Sequence, residues 1–269
     1  MPREHGAWAM LLQPFIGTVI VLGLVNWQLF TTLACVVLTF LIREPLLTMA
    51  RQKWVWREQH PETAVARRTF ALQLALLLAA VVPLARVWTS RELFGLGGVA
   101  GALTVFSVTM TVHNRQRELW FQALIAAGLG LSGVAACIAL LGSVPGWAWS
   151  WWALHTAHFW TGIMVVHVRL QARADAKHTP GILSPALRGL SRQAKIVQSV
   201  VAVAALVLIG FKQYYYGLAL LMSSAAHLRD IASAPSKASM EMTMDSVGRR
   251  ALLISAAFTA ILIVAELVS

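Results

Sequence analysis

Long apolar runs separated by short polar segments make up almost the whole chain. A helix that crosses the hydrocarbon core of a bilayer needs about 20 apolar residues, so each long run is a candidate membrane span. The pattern predicts an all-α polytopic helical bundle of about nine transmembrane helices, in which residues 1–269 form a single transmembrane domain. The predicted spans are 8–25, 28–49, 69–86, 93–113, 119–142, 149–171, 196–211, 213–231 and 250–268.

The segments between the runs predict which spans are joined by turns and which by loops. Tyrosines at 214–216 and tryptophans within 145–152 predict two turns at one membrane face, because both residue types favour the headgroup level. The longest loops are expected at the other face, at about 50–68 and 174–195. Proline and basic residues in these segments are typical of loops or partly ordered caps.

Composition and charge place the chain in a membrane. It is 58% hydrophobic and 12% charged, with a net charge of +11, which excludes an ordinary soluble domain. The basic residues interrupt apolar runs and do not form one solvated face, so no nucleic acid is expected as a partner. Of the 22 lysines and arginines, only Arg86, Arg91 and Lys212 fall at the face with the aromatic turns. This bias predicts a bacterial cytoplasmic membrane protein with its N-terminus inside and its C-terminus outside. The oligomeric state is left open.

A repeated pattern marks the cytoplasmic ends of the predicted spans. Spans four, six and eight end in His-x-Arg, at 113–115, 167–169 and 227–229. Span two keeps the arginine as Arg43 and follows it with Glu44. Arginine is expected at such ends for topology alone, but three histidines in matching positions favour a functional site, since ionisable residues at membrane depth are costly.

These residues predict a site that binds the anionic head of a substrate near the cytoplasm. Guanidinium and imidazole groups suit phosphate or carboxylate. The predicted substrate-binding residues are Arg3, Glu4, His5, Arg43, Arg51, His113, Asn114, Arg117, His167, Arg169, Arg173, His227 and Asp230.

Three further residues are candidates for catalysis. His155 and His158 lie deep in span six, on one stripe with Arg169 and Arg173, and are expected to face the bundle interior. Together with Glu44 they are the predicted acid–base groups. His227 and Asp230 lie three residues apart, so Asp230 is expected to orient the His227 imidazole.

Glycines in two spans predict close helix packing, since small residues let backbones approach in lipid. They are Gly95, Gly97, Gly98 and Gly101 in span four, and Gly128, Gly130 and Gly133 in span five.

The sequence PREHGAW at residues 2–8 resembles the characteristic start of the YwiC-like family of bacterial membrane proteins. The resemblance extends in hydropathy over the whole chain. This family implies no assigned activity.

The architecture is also similar to that of the UbiA superfamily of intramembrane prenyltransferases. That resemblance implies nine helices, with magnesium and a prenyl diphosphate bound by aspartate-rich motifs after helices two and six. The corresponding segments here, 43–51 and 169–177, carry one acid each, Glu44 and Asp175. Two magnesium ions need several carboxylate oxygens, so an acid-poor, arginine-rich site predicts direct binding of the diphosphate.

Three functions follow as hypotheses. The first is a UbiA-like protein that binds an isoprenoid or lipid-like substrate and acts as an atypical prenyl-type transferase; whether it is an enzyme is left open. The second is a haem- or quinone-binding membrane protein in which histidines serve as axial ligands or hydrogen-bond donors. The third is a small-anion transporter, which the odd number of spans disfavours. Magnesium and haem are the candidate cofactors.

Overall fold

The computed structural model describes residues 5–57, 60–178, 184–236 and 244–268. In these ranges the chain forms nine α-helices, so the predicted all-α bundle is confirmed. The helices are α1 His5–Leu22, α2 Trp27–Arg51, α3 Glu62–Leu84, α4 Ser90–Val112, α5 Leu119–Leu141, α6 Gly146–His178, α7 Pro185–Gly210, α8 Tyr214–Ser233 and α9 Met244–Val268.

Six of these helices, α2, α3, α4, α5, α7 and α9, are long and apolar enough to cross a membrane. The protein is therefore membrane-embedded. Helix α1 has a shorter apolar stretch, Gly6–Leu22. Helices α6 and α8 fall outside the apolar group, and they carry most of the buried ionisable side chains described below.

Local sequence signals explain several helix ends. The side chain of Asn26 accepts a hydrogen bond from the backbone N–H of Leu29 at 2.8 Å and caps α2. Thr89 and Glu92 form a reciprocal capping box at the start of α4. Ser184 caps α7, and the proline that follows it suits the first helical turn.

Within the described residues, the two segments expected to be long loops are mostly helical, so those predictions were wrong. Helix α2 continues to Arg51 and into a π-helical turn at Gln52–Trp56, and α3 already begins at Glu62. Helix α6 continues to His178, and α7 begins at Pro185. Most basic residues in the described parts of these segments belong to helix ends, whereas Arg57 lies in the connection before α3. Hydropathy alone does not distinguish a charged helix end from a loop.

The two predicted turns are present. Helix α7 ends at Gly210 and α8 begins at Tyr214, with Lys212 in the left-handed region at φ 65°. Gly142, also at φ 65°, ends α5 just before the tryptophan-rich start of α6. These turns lie at the end of the bundle where α7 meets α8. We call the opposite end, where α2, α4, α6 and α8 finish, the basic end.

Helix α6 lies at the centre of one half of the bundle, where it packs against α5, α7 and α8 and also contacts α1 and α9. In the other half of the bundle, helix α2 packs against α3, α4 and α5. Residues on α6, α8 and α9 are thus brought together, whereas α2 is placed with α4.

Glycines behave differently in the two predicted packing helices. A Cβ at Gly133 of α5 would lie 3.1 Å from the carbonyl oxygen of Pro14, so α1 and α5 approach closely there. A Cβ at Gly128 would lie 2.7 Å from the side chain of Leu103. The prediction was wrong for α4, because a Cβ at any of its four glycines meets nothing within 4 Å: Gly95, Gly97, Gly98 and Gly101.

Candidate functional site

Three helices contribute charged side chains to one buried cluster near the basic end. Oδ1 of Asp230, on α8, lies 3.0 Å from Nη2 of Arg169 on α6 and 2.8 Å from Nη2 of Arg250 on α9. The side chains of Arg169 and Asp230 are 6% and 7% exposed, whereas that of Arg250 is 36% exposed. We call these three residues the Arg–Asp–Arg cluster.

The local sequence places the cluster at the end of a polar stripe. On α6, Arg169 lies eleven residues, or about three turns, after His158, so both face the bundle interior. On α8, Asp230 lies nearly one turn after His227. Arg250 is in the second turn of α9, which begins at this end.

His155 is a fully buried and fully bonded imidazole. Its Nδ1 donates to the carbonyl oxygen of Trp151 at 3.0 Å, which leaves Nε2 to accept from the hydroxyl of Thr259 on α9 at 3.3 Å. The prediction that it faces the interior is confirmed. Because both nitrogens are occupied, this ring is suited to joining α6 to α9.

His158 stacks with two other rings. Its ring centroid lies 4.3 Å from that of Phe258 on α9 and 5.5 Å from that of His227 on α8, and both pairs are nearly parallel. The residue is 3% exposed, as predicted for an interior position. Its Nδ1 is buried and has no hydrogen-bond partner in the described part of the chain.

His227 is held by α6. The Thr161 hydroxyl donates to the carbonyl oxygen of His158 at 2.9 Å and lies 3.3 Å from Nδ1 of His227. Since the hydroxyl proton is already used, Nδ1 of His227 donates to Thr161 and Nε2 carries the lone pair. That nitrogen faces Gly162, where an added Cβ would lie 3.7 Å away.

The expected contact between His227 and Asp230 is replaced by other partners. Asp230 is engaged by the two arginines, while Thr161 fixes the imidazole. Guanidinium groups from α6 and α9 are stronger partners for a buried carboxylate than a neutral imidazole on its own helix.

The predicted residues of α2 lie in the other half of the bundle. Nε of Arg43 donates to the hydroxyl of Ser107 on α4 at 2.8 Å. Glu44 lies 3.4 Å from the Arg43 guanidinium and is 44% exposed. Arg51 is half-buried near the end of this helix.

The remaining predicted residues are scattered around the basic end. His113 is exposed, and its Nδ1 donates to Thr109 of its own helix at 2.8 Å. Asn114 and Arg117 are exposed in the connection to α5. His167 accepts a hydrogen bond from the amide of Gln122 at 3.0 Å and so joins α6 to α5.

The last predicted residues belong to α6 and to the start of the chain. Arg173 is half-buried one turn after Arg169. Arg3, Glu4 and the side chain of His5 lie outside the described residues.

The sequence pattern missed three residues of this region. Arg250 was counted only as a topological charge, although it is the second partner of Asp230. Gln198 of α7 and Ser224 of α8 are each 1% exposed. The sequence signal that could have identified Gln198 and Ser224 is a polar residue on the apolar, buried face of a helix.

The candidate cofactors do not fit the described residues. A haem held by two histidines needs one nitrogen of each ring directed at an iron between them, whereas His158 and His227 stack 14° from parallel. For magnesium, Asp175 accepts from the Gln171 amide and the Ser184 N–H, and Glu44 lies beside Arg43. No group of three or more His, Cys, Asp or Glu side chains within the described ranges is arranged to hold a metal ion.

Comparison with known proteins gives one match. A family model described as YwiC-like protein matches residues 1–137, which is about half of the chain and covers α1 to most of α5. No curated protein and no solved structure matches. The Arg–Asp–Arg cluster lies beyond the matched residues, in the second half of the chain.

Proposed function

The chain belongs to the YwiC-like family, and we propose that it binds an isoprenoid or other lipid-like molecule by an anionic head. The head binds at the Arg–Asp–Arg cluster, and the tail lies along apolar residues of the bundle. In this proposal the protein resides in the bacterial cytoplasmic membrane with its basic end toward the cytoplasm, since Lys and Arg are retained on that side.

The charge of the cluster supports the proposal. Arg169 and Arg250 bring two positive charges to a single carboxylate, so the three side chains together carry one net positive charge. A positive cluster that is partly open at the basic end attracts an anionic head. One guanidinium group can donate two parallel hydrogen bonds to two oxygens of a phosphate or diphosphate, which suits such a head.

Access to the cluster favours the same ligand. Arg250 is 36% exposed, so part of its guanidinium is open to a ligand that arrives at the basic end. Apolar side chains of α6, α7 and α8 surround the neighbouring turns, among them Met164, Leu187 and Ile231. A charged head with an apolar tail matches both surroundings.

A prenyl-type transfer is the specific reaction that we include in the proposal. The C–O bond between the prenyl carbon and the diphosphate held by the arginines would break, and a nucleophilic acceptor would form a new bond to that carbon. His158 or His227 would take the proton that the acceptor loses. His158 is the stronger candidate of the two predicted catalytic histidines, because both nitrogens of His155 are occupied.

The test is binding and turnover of farnesyl diphosphate by purified protein in lipid nanodiscs, with and without magnesium. Arg250→Ala removes the exposed guanidinium and is expected to weaken binding about tenfold, as for the loss of one charge-assisted contact. Arg229→Ala is the matched control. Arg229 is an exposed arginine of α8 and also lies at the basic end. With a bacterial lipid extract added as the source of acceptors, release of diphosphate together with a prenylated product would identify a transferase.

Two results would overturn the proposal. One is the absence of saturable binding by the wild-type protein. The other is equal binding by the Arg250→Ala and Arg229→Ala variants. A parallel Arg43→Ala variant measures whether α2 takes part, since Arg43 is bonded to Ser107 in the other half of the bundle.

A further inference from the structure

Two apolar clusters lie between α6, α7 and α8, and they are separated along the helices. The first lies toward the tyrosine turn and includes Leu154, Val201 and Leu220. The second lies toward the basic end and includes Val165, Ala194 and Ile231. Each helix thus contributes to both clusters.

Polar side chains occupy the level between the two clusters on all three helices. Helix α6 provides His158 and Thr161, α7 provides Gln198, and α8 provides Ser224 and His227. All five are at most 5% exposed. We call these five residues the polar layer.

The pairing of α7 with α8 fixes the position of Gln198. A Cβ at Gly217 would lie 2.6 Å from the carbonyl oxygen of Ala205, and Ala194 shares an apolar cluster with Ile231. Between these two points on antiparallel helices, Gln198 lies at the level of the α8 turn that begins at Ser224. The five residues therefore belong to one level of the bundle.

Several groups of the polar layer are buried without a hydrogen-bond partner among the described residues. They are Nδ1 of His158, Oγ of Ser224, and both Nε2 and Oε1 of Gln198. A buried polar group left unpaired costs about 1–3 kcal/mol, so native proteins rarely retain several together without a bound molecule. Lipid supplies no water to pair them.

Ser223, which precedes Ser224 on α8, shows that buried serine hydroxyls on this helix are not all left without a partner. Ser223 is as deeply buried as Ser224, yet its hydroxyl donates to the carbonyl oxygen of Leu220 at 3.2 Å. The lone pair of His227 Nε2 adds an acceptor on the α6 side, where Gly162 leaves room beside the ring.

We infer that the polar layer is a binding site for the hydroxyl group of an uncharged, otherwise apolar molecule. A hydroxyl both donates and accepts, so it can donate to His227 Nε2 or His158 Nδ1 while it accepts from Gln198 or Ser224. The layer contains no carboxylate or guanidinium among its five residues, and a charged group there would be unbalanced. The apolar clusters on both sides suit an apolar body.

This site shares His158 and His227 with the proposed transfer reaction, but it does not include the Arg–Asp–Arg cluster that binds the anionic head. A hydroxyl compound needs no contact with the Arg–Asp–Arg cluster, and the polar layer lies deeper in the bundle. Farnesol, farnesene and farnesyl diphosphate share one tail and differ in the head, so together they separate the two sites.

The experiment measures saturable binding of tritiated farnesol to the purified protein in nanodiscs, with unlabelled farnesene as competitor. Ser224→Ala is expected to weaken farnesol binding about fivefold to tenfold, whereas Ser223→Ala is expected to leave it unchanged. Gly162→Ala adds a methyl group in ordinary contact with His227, so it tests the space beside Nε2 without a clash.

Gln198→Leu gives a readout that a purely structural role would not produce. Replacing an unpaired buried amide by an apolar side chain of similar size should leave the unfolding temperature of the ligand-free protein unchanged or raise it, while farnesol binding is weakened.

Three results would overturn the inference: a lower unfolding temperature for Gln198→Leu, equal farnesol affinity of the Ser223→Ala and Ser224→Ala variants, or farnesene competing as well as farnesol. Arg250→Ala should retain farnesol binding even where it loses farnesyl diphosphate, so failure of one site is distinguishable from failure of the other.

Discussion

Oδ1 of Asp230 forms ion pairs with the guanidinium groups of both Arg169 and Arg250 at the basic end. Replacing it by asparagine would leave Arg169 buried at 6% exposure without a carboxylate from α8. Loss of one partner of a buried ion pair costs about 3–5 kcal/mol. Arg250 is partly exposed to solvent, which weakens its share of the interaction. We therefore expect Asp230→Asn to lower the free energy of unfolding by about 3 kcal/mol.

This prediction is checked by thermal or denaturant unfolding in detergent. Arg229→Gln is the control, and as an exposed substitution it should change the free energy of unfolding by no more than about 0.5 kcal/mol. An Asp230→Asn protein as stable as the control would mean that the cluster is not held together by this carboxylate.

Glu118, in the connection between α4 and α5, gives a prediction of pH dependence. A hydrogen bond from the Arg115 guanidinium lowers the pKa of the Glu118 carboxyl below its ordinary value of 4.5, with a further hydrogen bond from Trp120. A lowered pKa means that the contact contributes stability above pH 4.5 and loses it as the pH falls through the lowered value.

The measurement compares unfolding of wild-type and Glu118→Gln protein between pH 3 and pH 7, conditions chosen to bracket that ordinary value of 4.5. Wild-type stability relative to the variant should fall only on the acid side, and added salt should reduce the difference because the pair is near the surface. A difference that does not vary with pH would contradict the assignment.

At the scale of the helix, close approach explains which glycines are needed. Gly217 of α8 lies against α7, where a Cβ would meet the Ala205 carbonyl oxygen at 2.6 Å and the Ile209 side chain at 2.5 Å. A backbone carbonyl cannot change rotamer to relieve this contact, so Gly217→Ala should push α7 and α8 apart. We expect the free energy of unfolding to fall by about 1–3 kcal/mol.

Gly97→Ala in α4 is the matched comparison, since an added Cβ there meets nothing within 4 Å. Alanine is the better helix former, so this variant should be neutral or more stable by up to about 1 kcal/mol. Both variants are measured by unfolding in the same detergent. Equal destabilisation would mean that α4 packs against something in the membrane at this face.

For the whole molecule, the distribution of charge predicts orientation. In a protein without Cys35 and Cys137, a cysteine at Lys212 should react with an impermeant maleimide added to intact cells, and a cysteine at Arg57 should not. Both residues are exposed, so burial would not account for the difference. Reversed labelling would place the basic end outside and remove the expected cytoplasmic access to Arg250.

Hydropathy predicts the order of the helices in the described ranges, because length and apolar composition suffice to define a segment in lipid. The sequence also identified the interior direction of His155 and His158, since α-helical periodicity aligns them with Arg169. It gave the wrong extent for the basic loops, because charged helix ends that leave the hydrocarbon core have no apolar signature.

Which helices contact one another follows from tertiary packing and not from the pattern of any one helix. Equal spacing at four helix ends suggested one layer of charge, yet α2 packs with α4 while α6, α8 and α9 share Asp230. The partner of a buried charge and the level of Gln198 beside Ser224 depend on the contacts and register between helices. Hydropathy, which is a property of each helix alone, contains no information about that register.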